Sequence, residues 1–141
     1  MRDIVFRGKR VEDDKWVYGG IYIDDEAVGI LTAEVNGDTA IIDEVKPETV
    51  GQFTGVDDIE NRRIFEGDIV KCGFSTPSGD KPVIGEIIYR PEDAGYMLKT
   101  AESEVYFFNK IIANVKVIGN KFDDPDLLDS KEEKEDNIKY G

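Results

Sequence analysis

Apolar and polar residues alternate repeatedly along this chain with the period of two that marks a half-buried strand. In residues 3–7, Ile4 and Phe6 fall on one side and Val5 on the other. Residues 15–24 alternate too. Trp16 and Tyr18 share a face, Gly19-Gly20 intervene, and Ile21 and Ile23 share a face one residue out of phase. A β-bulge produces that slip, and glycine tolerates the backbone a bulge needs. Val28 to Glu34 is the next strand candidate. Asn36-Gly37 suits a tight hairpin turn, and Thr39 to Asp43 makes the return strand. The first third of the chain is therefore expected to be a meander.

The middle is richer in glycine. Gly51 to Val56 forms a short strand bracketed by glycines, and the polar run Asp57 to Arg63 forms a turn. Ile64 and Phe65 follow, Gly67 supplies a tight bend, and the chain re-enters a strand at Asp68. Ser75 to Pro82 has the composition of a loop. Val83–Tyr89, Tyr96–Thr100, Val105–Asn109 and Val115–Ile118 are further strands. At the end, Asp124 can cap a helix, Pro125 suits its first position and Asp126 complements its dipole. An acidic tail follows.

Short strands with glycine turns predict an all-β protein. The expected architecture is a small SH3-like or similar open barrel, an N-terminal β meander lobe and a short C-terminal helix. Residues 1–122 are expected to form one domain, with possible lobes at 1–50 and 51–122, and 123–141 the acidic helix and tail. A chain of 141 residues can carry a core without staples.

Charge and chemistry narrow the function. With 18 basic and 31 acidic residues the formal charge is −13, which repels nucleic-acid backbones and anionic membranes. Having no histidine, the chain lacks histidine-based nucleophile systems, histidine-ligated metal sites and imidazole acid–base catalysis. Its one cysteine, Cys72, cannot form an intramolecular disulfide and fits a reducing, cytoplasmic setting as a buried small hydrophobe. No apolar run has the length of a membrane span, and no cofactor motif is present. Arg2, Arg7, Lys9 and Arg10 near Trp16 and Tyr18 raise single-strand binding as an idea. The competing expectation is that these aromatics are core and these bases pair with neighbouring acids.

Three stretches point to one family. They are Pro47 to Gly55 with Asp57 and then Ile64-Phe65-Glu66-Gly67-Asp68-Ile69-Val70, the opening Ile4-x-Phe6-Arg7-Gly8 with Trp16-Val17-Tyr18-Gly19, and Val117-Ile118-Gly119-Asn120 with Asp123, Pro125, Leu127 and Leu128. In this order they resemble the YopX family of phage and prophage proteins. The chain departs in the 57–63 turn, which has no glycine where the family usually has one. The resemblance implies a mostly β fold and a phage context, with no active site to carry over.

Within those stretches, Phe53, Ile64, Phe65, Ile69 and Val70 are expected in the core. Gln52, Thr54, Asp57, Glu66 and Asp68 are the polar members and the first place to look for a binding surface. Three functions compete. The first is a non-enzymatic accessory protein that binds a host or phage protein and self-associates through exposed β edges. The second is an acidic decoy that mimics nucleic acid for a host DNA-binding enzyme. The third is a divalent-metal enzyme using Asp57, Glu66 and Asp68.

Overall fold

A computed structural model of the chain describes residues 2–35, 37, 39–76, 79–101, 105–107 and 114–129. Five strands lead: β1 (Phe6–Lys9), β2 (Trp16–Ile23), β3 (Val28–Val35), β4 (Thr39–Val45) and β5 (Gly51–Asp57). Six follow: β6 (Arg63–Phe65), β7 (Asp68–Thr76), β8 (Gly79–Arg90), β9 (Gly95–Thr100), β10 (Val105–Phe107) and β11 (Lys116–Asn120). The helical content described is three 3₁₀ turns, Pro47–Thr49, Pro91–Asp93 and Pro125–Leu128. None of these is long and apolar enough to cross a membrane.

The strands form two antiparallel sheets, ordered β4-β3-β2-β1-β5-β6 and β10-β9-β8-β7-β11. The mostly β class and the N-terminal meander are present, and neither sheet closes into a barrel. The chain divides into two compact units, 1–55 and 56–141.

In the first unit the meander curls until β4 meets the end of β1. Arg10 bridges Val45, the Lys46 N–H donates to the Lys9 carbonyl at 2.8 Å, and the Val11 N–H donates to the Glu44 carbonyl at 3.0 Å. Thr49 secures this corner: its hydroxyl donates to the Lys46 carbonyl at 2.6 Å and accepts from the Lys9 N–H at 2.9 Å. Ile30, Val45 and Phe53 are buried there. In the second unit the core is Ile64, Val70, Cys72, Ile87, Leu98 and Val115, with Val56, Val83, Tyr96 and Val117 packed against it. Burial pushes the Cys72 thiol up, so it stays a neutral apolar group.

Three expectations need correction. The first is the bulge at Gly19-Gly20. β2 runs unbroken, pairing with β1 through residues 16–19 and with β3 through 20–23. The glycine pair is where β2 changes partner. A Cβ on Gly19 would lie 1.8 Å from the Leu31 carbonyl oxygen, inside any contact distance, so only glycine fits. The apparent phase slip arises because Tyr18 is exposed and Ile21 faces inward with the buried Ile30. The register shift in this sheet sits instead between Leu31 and Ala33, where the Thr32 hydroxyl donates to Asp43 Oδ2 at 3.1 Å.

The second correction concerns 75–82, where β7 and β8 stay paired out to Thr76 and Gly79. A ladder satisfies backbone groups whatever the side chains' polarity. Third, the C-terminal helix is one 3₁₀ turn. The Asp124 carboxylate does not cap it but turns back to accept from the Asn120 N–H at 3.2 Å. β10 is described as far as Phe107. Asn36, Phe108, Asn109 and the tail from Ser130 lie outside the described residues.

The two glycines of β2 therefore differ. Gly19→Ala is expected to lower unfolding free energy by about 3 kcal/mol, the scale of overpacking against fixed neighbours. Gly20→Ala, whose new methyl would first meet Leu31 Cβ at 3.9 Å, is expected to stay within about 1 kcal/mol of wild type. Urea unfolding followed by Trp16 fluorescence measures both.

Candidate functional site

The polar residues singled out in 47–70 are divided between the two units. Gln52 and Thr54 are half-buried on β5 in the first unit. Asp57 is exposed at the end of β5, Glu66 is half-buried, and Asp68 is buried. Among the described residues no three of His, Cys, Asp and Glu gather as metal ligands.

Asp68 is held by its own turn. Its Oδ2 accepts from the Phe65 N–H at 2.7 Å, across a Gly67 whose φ is +87°. That left-handed backbone costs glycine little and other residues more. The Gly67 N–H then donates to the Ile87 carbonyl at 2.8 Å, and its carbonyl accepts from the Lys121 N–H at 2.9 Å. Glu66-Gly67-Asp68 is thus a backbone junction between β6, β8 and the end of β11.

A carboxylate not singled out from the sequence has the larger part. Asp58 is buried in the turn between β5 and β6. Its Oδ1 accepts from the Glu60 N–H at 2.8 Å and the Arg62 N–H at 2.9 Å, and its Oδ2 accepts from the Val117 N–H at 3.0 Å. Arg62 Nε lies 3.3 Å from Oδ2. Burial alone would raise its pKa. The N–H groups of Val117, Arg62 and Glu60 and the Arg62 charge outweigh that and hold the carboxyl below the usual range. The Ile59 N–H also donates to the Val115 carbonyl at 3.0 Å, so the turn is laced along β11. Asn61 takes the left-handed conformation at φ 63°, which explains how this turn forms without a glycine. The available signal was Asp58 three residues before Asn61, an Asx-type turn pattern.

The open surface lies elsewhere, on the first unit. Residues paired across antiparallel strands share a face. The register therefore places Arg7 with Tyr18, Lys9 with Trp16, Gly20 with Leu31 and Ile42, and Tyr22 with Gly29 and Glu44, all on one face. Tyr18 is 51% exposed, Tyr22 49% and Ile42 43%, so the expectation that Trp16 and Tyr18 are core is corrected for Tyr18. Trp16 is half-buried, with the Arg7 guanidinium 4.6 Å and the Lys9 ammonium 5.5 Å from its ring centre. Arg10 instead pairs with Glu12, Asp13 and Asp43, as expected of the basic residues.

Acids border this face at one end. The β2–β3 turn carries Asp24, Asp25 and Glu26, all exposed, and Glu44 shares the Tyr22 row. Asp24 Oδ1 accepts from the Glu26 and Ala27 N–H groups, both at 2.8 Å, which holds its carboxyl below the usual range. It is charged at neutral pH. Among the described residues, what the surface offers is apolar contact and negative charge.

Two antiparallel sheets, with the buried carboxylates of Asp58 and Asp68 tying turns to the backbone, define a mostly β protein. The chain belongs to the YopX protein family, whose profile matches residues 5–129. It is also similar to protein EF1440 from Enterococcus faecalis, known from a crystal structure. The two are 20% identical with a TM-score of 0.54, over 91% of this chain and 99% of that one. That likeness concerns the fold. No curated protein matches.

Asp58→Asn is expected to lower stability at neutral pH by about 2–4 kcal/mol, because an amide nitrogen cannot accept the bonds the carboxylate accepts. The sign with pH follows from a depressed folded pKa: the contribution is complete above the ordinary Asp value of about 4 and is lost as pH falls below it. The gap between the urea midpoints of wild type and variant should stay level above about pH 5 and narrow as pH falls below about 4. A gap that stays level there too would contradict the assignment.

Proposed function

We propose that the protein is a non-enzymatic phage or prophage accessory protein that binds another protein, of host or phage origin, in the host cytoplasm. One observation carries this reading: the exposed aromatic and aliphatic face of the β2-β3-β4 meander. Exposed large apolar residues scattered singly are ordinary on a protein surface. A cluster on one sheet face, bordered by charge, is what protein-interaction sites use. Tyrosine suits that role because it adds contact area at little entropic cost and keeps a polar tip. Family membership supports the phage context. The polar residues Gln52, Thr54, Asp57, Glu66 and Asp68 are secondary candidates for the same role, with Asp57 the most exposed. Self-association through the meander face is a form of the same function.

The test uses purified full-length protein as bait in host lysate, beside a Tyr18→Ser/Tyr22→Ser variant of unchanged circular dichroism. Light scattering runs in parallel. The expected result is a partner, or a second copy, retained by wild type and lost by at least about ten-fold in the variant. Equal retention by both proteins, or a monomer with nothing retained, would overturn the proposal.

A further inference from the structure

The meander face has a polarity that specifies its partner. Gly20 lies between Tyr18 and Tyr22 on the same side of β2, and the two tyrosines, four residues apart, are separated by roughly 13 Å along the strand. Nothing fills the space above Gly20: a Cβ there would meet only Leu31, at 3.9 Å. Leu31 and Ile42 continue the same row across β3 and β4. The result is a shallow apolar seat with an aromatic ring at each end.

Beyond Tyr22 the charge is negative. Asp24, Asp25 and Glu26 follow in the turn, and Glu44 lies across Gly29 in the Tyr22 row, about 10 Å from it by strand spacing. None of these four forms an ion pair among the described residues, whereas Asp13, Asp14 and Asp43 do. Among the described residues, no basic side chain pairs with the charge at this end of the face.

From this complementarity we infer that the occupant is a basic protein segment. It would seat one apolar anchor side chain over Gly20, between the rings, and set its lysine or arginine side chains against Asp24, Asp25, Glu26 and Glu44. The inference rests on the protein-binding function proposed above and adds the chemistry of the partner. A flat anchor pocket supplies the contact area, and the acids set orientation and exclude acidic partners. At the opposite end Arg7 is buried against the Trp16 ring, so a nucleic-acid strand finds little open positive charge there. It would meet repulsion from Glu44 and the 24–26 turn.

Trp16 is the single tryptophan and lies on the same face, so its fluorescence reports occupancy without a label. The probes are three synthetic peptides without tryptophan: one with a central leucine flanked by lysine and arginine, the same peptide with the leucine replaced by alanine, and a charge-reversed peptide with glutamates. A single-stranded oligonucleotide is the fourth probe. The leucine-centred basic peptide is expected to bind, the alanine form about ten-fold more weakly, and the acidic peptide and oligonucleotide not at all. Binding should weaken as salt rises. An Asp25→Lys/Glu44→Lys variant, which touches no core residue, should lose about ten-fold for the basic peptide. A Gly20→Leu variant should do the same by filling the seat. Equal binding of the acidic peptide, binding of the oligonucleotide alone, or basic-peptide binding indifferent to both variants would overturn the inference. If lysate capture still depends on Tyr18 and Tyr22 while no basic peptide binds, the partner's chemistry is wrong and the protein-binding function stands. If capture is also absent, both fall.

Discussion

The first unit depends on the approach of one backbone to another. At Gly19 the Leu31 carbonyl comes so close that no side chain fits, and there β2 leaves β1 and takes up β3. Without that exchange β3 and β4 would have no strand to build on. The curl that brings Val45 back to Arg10, and buries Ile30 and Val45, follows from it. The same geometry sets the outer face. The residue after the exchange is a second glycine, and it leaves an open seat between Tyr18 and Tyr22. A packing constraint on the inside thus fixes what is presented outside.

The second unit is organised by carboxylates that serve the backbone. Asp58 accepts three N–H groups and lies beside Arg62, and Asp68 accepts one across the Gly67 turn. The end of β11 works alike. Asn120 Oδ1 accepts from the Phe122 and Asp123 N–H groups while Asp124 returns to the Asn120 N–H. Gly119 leaves room beside Asp124 and Leu127, since a Cβ there would lie 2.6 Å and 2.7 Å from their side chains. Buried backbone donors left alone are costly, so each of these side chains stabilises an irregular junction that no ladder covers. Glu66-Gly67-Asp68 and Gly119-Asn120 through Leu127, which lie within the stretch matched by the YopX family, are largely these junctions.

Much of the fold was legible in the sequence because strand alternation and glycine turns are local signals. Residues 28–34, 39–43, 51–56 and 83–89 all lie in strands, Gly67 makes its bend, and Phe53, Ile64, Phe65, Ile69, Val70 and Cys72 are buried. What failed was non-local. Alternation shows that Tyr18 and Ile21 point to opposite sides, but not which side is wet, so an exposed tyrosine was read as core and a change of partner as a bulge. The 75–82 composition suggested a loop because polarity reports exposure and not pairing. Asp58 was hidden among 31 acids, and its importance comes from Val117, far away in the chain. The candidate surface was legible only as parts: the residues were visible, and their gathering on one face needed the register.

On the function proposed above, the outer face of the β2-β3-β4 meander is the binding surface, while the Asp58 and Asp68 turns of the second unit hold the fold. Side-chain and amide resonances recorded by NMR, with and without the leucine-centred basic peptide at saturation, test it most directly. Shifts are expected to gather at Tyr18, Gly20, Tyr22, Leu31, Ile42 and the 24–26 turn, with Asp58, Glu66 and Asp68 unmoved. Shifts centred on residues 57–68, or no shifts anywhere, would contradict it.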